Sequence, residues 1–123
     1  MAAVGLVDYG MGNLASVERA IRAAAPGLEV VRITRPEELG AVQAVVLPGV
    51  GAFEAAMAAL ARAAMDQALA AYLREGRPLL GICLGYELLF DESEEIGSGQ
   101  PGGAVRGLGW LPGRVRRFPE GVT

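Results

Sequence analysis

Four short apolar runs, Ala3–Val7, Glu29–Ile33, Ala44–Leu47 and Leu79–Cys83, alternate along the chain with longer amphipathic stretches. This alternation limits the available folds more than any other feature. Runs of four or five residues are strand-length, and apolar character throughout a strand means burial on both faces. Strand–helix–strand order therefore predicts an α/β domain: a mostly parallel sheet with helices on both faces. Leu14 to Ala25 reads as the first helix. Asn13 is placed to cap it, Leu14, Val17, Ile21 and Ala24 share one face, Glu18 and Arg22 pair at i,i+4, and Pro26-Gly27 stops it. A single alanine-rich helix is expected from Glu54 to Glu75, with Met57, Leu60, Ala64, Leu69 and Tyr72 on its apolar side. Gly76 suits its left-handed end and Pro78 prevents continuation. Leu84–Phe90 reads as a further helix, Gly97–Gly109 as a glycine-rich loop, and Arg114–Phe118 as the start of another strand. No repeat or linker interrupts the pattern before residue 91, and 123 residues suit one domain with one core.

Composition excludes several classes of function. The chain is 52% hydrophobic, too apolar for a disordered tail. No apolar run approaches the ~18 residues of a spanning helix. Asp8 interrupts the first apolar run and no basic segment precedes it, so a signal peptide is not expected. Net charge is −3, which argues against a nucleic-acid binder. All 11 cationic residues are arginine and histidine is absent, so Schiff-base lysines, imidazole bases and histidine metal ligands are ruled out within these residues. No metal or organic cofactor is expected. One cysteine forms no internal disulfide, and a reducing cytoplasm is the simplest setting.

Glycine, at 18 of 123 residues, is about twice as frequent as the usual ~7% and gathers at strand ends. Ligands of doubly wound sheets bind at the carboxyl ends of strands. Three turns leave such ends: Asp8–Asn13, Pro48–Gly51 and Cys83–Gly85. The last carries the chemistry. In Gly81-Ile82-Cys83-Leu84-Gly85 a cysteine has glycine two residues to either side, the layout of a nucleophile elbow. Such a turn brings strand and helix too close for a Cβ on the flanking residues, and it projects the nucleophile into the cleft. The helix that follows would favour thiolate, and backbone amides after the cysteine would be free to hold an oxyanion. The plain alternative is a buried cysteine ending a core strand.

The chain resembles the glutaminase subunits of imidazole glycerol phosphate synthase, which are class I, triad-type glutamine amidotransferases of flavodoxin-like fold. Four segments carry the resemblance: Val7-Asp8-Tyr9-Gly10-Met11-Gly12-Asn13-Leu14; Leu47-Pro48-Gly49-Val50-Gly51-Ala52-Phe53; Gly81-Ile82-Cys83-Leu84-Gly85; and Glu92-Ser93-Glu94-Glu95 together with Gly107-Leu108-Gly109-Trp110-Leu111-Pro112-Gly113. The resemblance implies that Cys83 attacks the side-chain amide of glutamine. It makes the amides of Val50 or Gly51 and of Leu84 the oxyanion donors, and places Gly49, Gly51, Glu87 and Glu95 around the substrate. It further implies that ammonia passes to a (β/α)8-barrel cyclase subunit. Candidate docking elements for that partner are the turn Tyr9, Gly10, Met11, Gly12 and Asn13 and the loop around Gly49–Phe53, since both leave strand ends near Cys83, and the products would be imidazole glycerol phosphate and AICAR. Partner docking is expected to reorient the peptide between Gly49 and Gly51.

Two departures accompany the resemblance. The family's late His-x-Glu motif is absent, so the chain is expected to be the N-terminal portion, about two thirds, of one amidotransferase domain. Tyr86-Glu87 stands where the family usually has Met-Gln. Two other readings compete. Gly10-Met11-Gly12-Asn13-Leu14-Ala15 fits a dinucleotide fingerprint, with Arg35 placed for the 2′-phosphate of NADP. The missing histidine and Glu87 would also suit a non-catalytic docking subunit of the same superfamily.

Overall fold

The computed structural model describes residues 2–94, 104–119 and 121. The chain begins β1 (Ala3–Val7), α1 (Leu14–Ala24), β2 (Glu29–Ile33), a 3-10 turn at Pro36–Ala41 and β3 (Ala44–Leu47). It continues through α2 (Phe53–Arg62), α3 (Met65–Arg74), β4 (Leu79–Gly81) and α4 (Leu84–Glu87). Then come β5 (Phe90–Ser93), β6 (Val105–Arg106) and β7 (Leu111–Val115). The first four strands form one fully parallel sheet in the order β2-β1-β3-β4. That order reverses between β1 and β3, as in flavodoxin-like sheets, and so creates a crevice at the carboxyl ends of those strands.

Alternation along the strands sends side chains to two cores. Leu6, Val30 and Val46 meet Leu14, Val17 and Ile21 of α1 on one face. Val7, Ile33, Val45 and Leu47 meet Phe53, Ala56, Leu60, Met65, Leu69 and Tyr72 on the other. Helices therefore cover both faces, as the apolar strands required. The predicted cap is present: Asn13 Oδ1 accepts from Ser16 N at 3.3 Å. Glu18 and Arg22 pair at 3.4 Å, and Gly76 closes α3 at φ +80°.

The single helix expected over Glu54–Glu75 is instead α2 and α3, broken where Ala64 takes φ 54°. No glycine or proline marks the break. Ala64, expected on the apolar side, is exposed, and the turn brings Leu60 and Met65 into the core together. β4 ends at Gly81 rather than Cys83, and α4 is one turn rather than a helix to Phe90. Phe90 opens β5 of a second small sheet, β6-β5-β7, which was not expected. Its last strand spans Leu111–Val115, earlier than the predicted Arg114–Phe118. The glycine-rich loop lies outside the described residues over 95–103, and its far end carries β6. The 3-10 turn was also missed. Glu38 organises it by accepting from Thr34 N at 2.9 Å and Arg35 N at 2.8 Å, bonds that hold its carboxyl below the ordinary carboxylate range. Among the described residues no helix is long and apolar enough to cross a membrane.

Leu60 is fully buried, whereas Leu80 at the sheet edge is 59% exposed. Leu60→Ala is expected to cost about 2–5 kcal/mol of the ~5–15 kcal/mol that holds such a domain. Leu80→Ala should stay within about 0.5 kcal/mol. Urea unfolding of both variants checks the contrast.

Candidate active site

The carboxyl ends of β1, β3 and β4 carry the three turns singled out in the sequence, and the fold brings them together. Cys83 sits between β4 and α4 at φ 55°, ψ −123°. Among the described residues it shares positive φ with only one other non-glycine residue, Ala64. A side chain held there costs on the order of 1–3 kcal/mol and persists only where the surroundings enforce it. The flanking glycines do so. A Cβ at Gly81 would lie 2.8 Å from Tyr86 Cα, and one at Gly85 would run into the Leu47 carbonyl oxygen. The elbow is therefore pressed against the end of β3 backbone to backbone. Its thiol is exposed, not sealed in the core. α4 is only one turn long, so aligned peptide dipoles supply less than the longer helix expected there.

The loop Pro48–Gly51 lies directly across from the elbow. Leu84 N, an expected oxyanion donor, donates to Gly49 O at 3.3 Å. A trans peptide points its N–H opposite its carbonyl, so the Val50 N–H faces away from Leu84. Of the expected donors, Leu84 N is thus engaged and Val50 N averted in this arrangement. Gly49 is hemmed in: a Cβ there would meet Tyr9 Oη at 2.7 Å and Gly85 N at 2.9 Å. Gly51 takes φ +98°, and Val50 is 54% exposed.

The turn after β1 packs on this loop. Tyr9, expected on the docking surface, is buried at 8% exposure, and its hydroxyl donates to Pro48 O at 2.7 Å. Burial pushes the phenol up to about 12. Gly10 and Asn13 are exposed, and Met11 and Gly12 half-buried. A Cβ at Gly12 would lie 3.5 Å from Pro48 Cβ, and one at Gly51 3.4 Å from Met11 Cε. Glu87 is half-buried on α4, and its amide donates to Cys83 O at 3.2 Å. Glu95 lies outside the described residues. Sequence reasoning missed the Tyr9–Pro48 bond. Its signal was a tyrosine two residues beyond the end of an apolar strand, which pattern alone does not distinguish from a surface residue.

The dinucleotide alternative loses support at the same turn. Gly10 N, which a pyrophosphate would need, donates to Asp8 Oδ1 at 3.4 Å. Arg35 is drawn to Glu37 and Glu38 at 3.6 and 4.0 Å. Among the described residues no group of three or more His, Cys, Asp or Glu gathers as a metal site.

A strained, exposed cysteine at a strand-to-helix corner of a parallel sheet has the geometry of a nucleophile elbow, on a fold of the doubly wound α/β class. Residues 20–120 match the CobB/CobQ-like glutamine amidotransferase domain, and the chain belongs to that family. It is 48% identical over 122 residues to the imidazole glycerol phosphate synthase subunit HisH of Symbiobacterium thermophilum, covering 99% of this chain and 54% of that protein. The chain thus spans about half the length of the curated relatives it matches, not the two thirds expected from the resemblance. Among solved structures, a glutamine amidotransferase superposes with a TM-score of 0.73 at 23% identity, over 97% of this chain and 58% of that one. A peptidase E-type protein from Listeria monocytogenes superposes at 0.69 and 12% identity, over 89% and 63%. The fold alone therefore serves more than one chemistry.

Gly85→Ala drives a methyl group into the Leu47 carbonyl, and it should lower stability by about 4 kcal/mol or more. Gly27→Ala meets nothing within 4 Å and should stay within about 0.5 kcal/mol. Thermal unfolding of the pair tests the elbow's close approach. Tyr9 gives a pH test. Its phenol binds its proton more tightly folded than unfolded, so its contribution is complete below the ordinary value of 10.0 and is lost as pH rises towards 12. Tyr9→Phe should make the alkaline loss of stability over that window shallower, read from urea midpoints against pH.

Proposed function

We propose that the chain forms the N-terminal portion of a glutamine amidotransferase domain that serves histidine biosynthesis. The observation that carries this reading is Cys83 held exposed at φ 55° between two glycines that admit no side chain. The 48% identity to HisH subunits supports glutamine as the substrate.

The thiolate of Cys83 attacks the side-chain carbonyl carbon of glutamine. The C–N bond breaks, and the leaving nitrogen takes a proton to depart as ammonia. The glutamyl thioester is then hydrolysed by water to glutamate and the free thiol. Negative charge on the carbonyl oxygen in each tetrahedral intermediate needs two aimed amides. Turnover of the Gly49–Val50 peptide supplies them, freeing Leu84 N–H from Gly49 O and presenting Val50 N–H beside it. Glycine at 49 makes this rotation inexpensive. Glu87 offers acceptors to the substrate's ammonium group, and the resemblance to the family gives Glu95 a substrate contact. No histidine occurs in these 123 residues, so proton transfer to ammonia and activation of water fall to the His-x-Glu that the family carries later in the domain. The partner is a (β/α)8-barrel cyclase subunit that takes up the ammonia in a heterodimer and docks over the exposed parts of Gly10–Asn13 and Val50–Gly51. A reducing cytoplasm keeps Cys83 a free thiol.

Cys83 should be labelled by a chloroketone analogue of glutamine, and free glutamine should protect it. Cys83→Ser should abolish labelling, while the purified 123-residue chain releases little or no glutamate. Labelling no faster than with iodoacetamide and insensitive to glutamine would sink the reading. NADPH titration followed by Trp110 fluorescence should show no saturable change, and a saturable one would revive the dinucleotide alternative.

A further inference from the structure

Tyr9 lies at the join between the turn after β1 and the loop after β3, and nothing in the chemistry above uses it. It is buried, and its hydroxyl donates to Pro48 O at 2.7 Å across 39 positions of sequence. Pro48 has no N–H, so its nitrogen adds no hydrogen bond to hold this stretch of chain. The Tyr9 bond instead fixes the orientation of the next peptide, Pro48–Gly49. Beyond it, Gly49 O accepts from Leu84 N at the longer distance of 3.3 Å. The loop thus places a firmly held peptide directly before a loosely held one.

We propose that Tyr9 is a positioning residue that clamps the Pro48–Gly49 peptide, confines reorientation to the Gly49–Val50 peptide, and passes the state of the Asp8–Asn13 turn to the oxyanion loop. A peptide turns over by rotating ψ of one residue against φ of the next. With Pro48 O held, that rotation is set by ψ of Gly49 and φ of Val50, and the neighbouring backbone keeps its place against the elbow. Burial keeps the phenol protonated well beyond neutral pH, so the clamp is a permanent donor and not a base. The same turn touches both sides of the moving peptide. Gly12 backs onto Pro48, and Met11 Cε reaches Gly51, each within 3.6 Å of the glycine's Cβ position. Anything that displaces residues 9–13 therefore moves Tyr9 Oη relative to Pro48 and loosens or tightens the pivot. The inference rests on the amidotransferase reading only for the purpose of the pivot; the clamp itself is a property of this chain.

Amide hydrogen exchange on the 123-residue chain tests it, comparing the wild type with Tyr9→Phe, which keeps the ring and removes the donor. Exchange at Leu84 N–H should accelerate about five- to tenfold, the scale of one lost hydrogen bond. Asp8 N–H, bonded to Ile33 O in the neighbouring strand pair, should be unchanged. A merely structural role would accelerate both alike. Unchanged Leu84 exchange, or equal acceleration of Leu84 and Asp8, overturns the clamp. Should the variant fail to fold, the wild type decides: a slowly exchanging Tyr9 hydroxyl proton with a through-space contact to Gly49 supports the clamp, and a rapidly exchanging one overturns it. Labelling of Cys83 by the glutamine chloroketone is read separately. Labelled Cys83 with unchanged Leu84 exchange removes the clamp and leaves the amidotransferase reading. Accelerated Leu84 exchange without labelling does the reverse.

Discussion

Backbone meets backbone where Gly85 of the elbow touches the Leu47 carbonyl at the end of β3, and the site depends on that contact. It can exist only without a side chain at position 85. It fixes the distance between the elbow and the Pro48–Gly51 loop. It also leaves Cys83 no ordinary conformation, which is why the residue sits at positive φ with its sulfur in solvent. Packing elsewhere supplies the rigidity that makes this strain sustainable. Leu47, Phe53 and Leu60 are fully buried in the same core cluster as Leu84 of the elbow, which ties the end of β3 to it.

Around that rigid contact, the proposed catalytic geometry turns on one peptide. Gly49 O occupies the Leu84 amide, so on the proposed reading the resting arrangement withholds an oxyanion donor. A glutaminase that worked without its acceptor would release ammonia to no purpose. A site that is assembled only when a neighbouring turn is engaged couples hydrolysis to use, in the sense that one binding event shifts the equilibrium of another. The Asp8–Asn13 turn is well placed for this. Its exposed residues face solvent, and its buried tyrosine reaches the loop.

Much of this was legible in the residues. Apolar runs of strand length marked all four strands of the main sheet, because parallel strands are buried on both faces and show it in composition. The glycines flanking Cys83 marked the elbow, because only a close backbone approach demands them. Other features were not legible. The break at Ala64 has no punctuating residue, and it follows from how Leu60 and Met65 share one core. The one-turn α4 and the β5–β7 sheet arise from pairing between Phe90–Ser93 and residues 12 to 22 positions away, which no local pattern records. Tyr9 looked like part of a docking turn, yet its neighbours are set by the register of β1 on β3.

By itself the sequence determined the class of fold, the position of the cysteine at the elbow and the need for bare backbone beside it. These follow from side-chain volume, hydrophobic period and glycine's missing Cβ, all of them local properties. Tertiary structure alone decided that the Leu84 amide is capped by Gly49, that Val50 N–H is turned away, and that a buried phenol holds the peptide before the pivot. Those are relations between segments 35 to 39 residues apart, created by the parallel pairing of β1, β3 and β4, and a hydrogen bond between distant segments has no signature in either one alone.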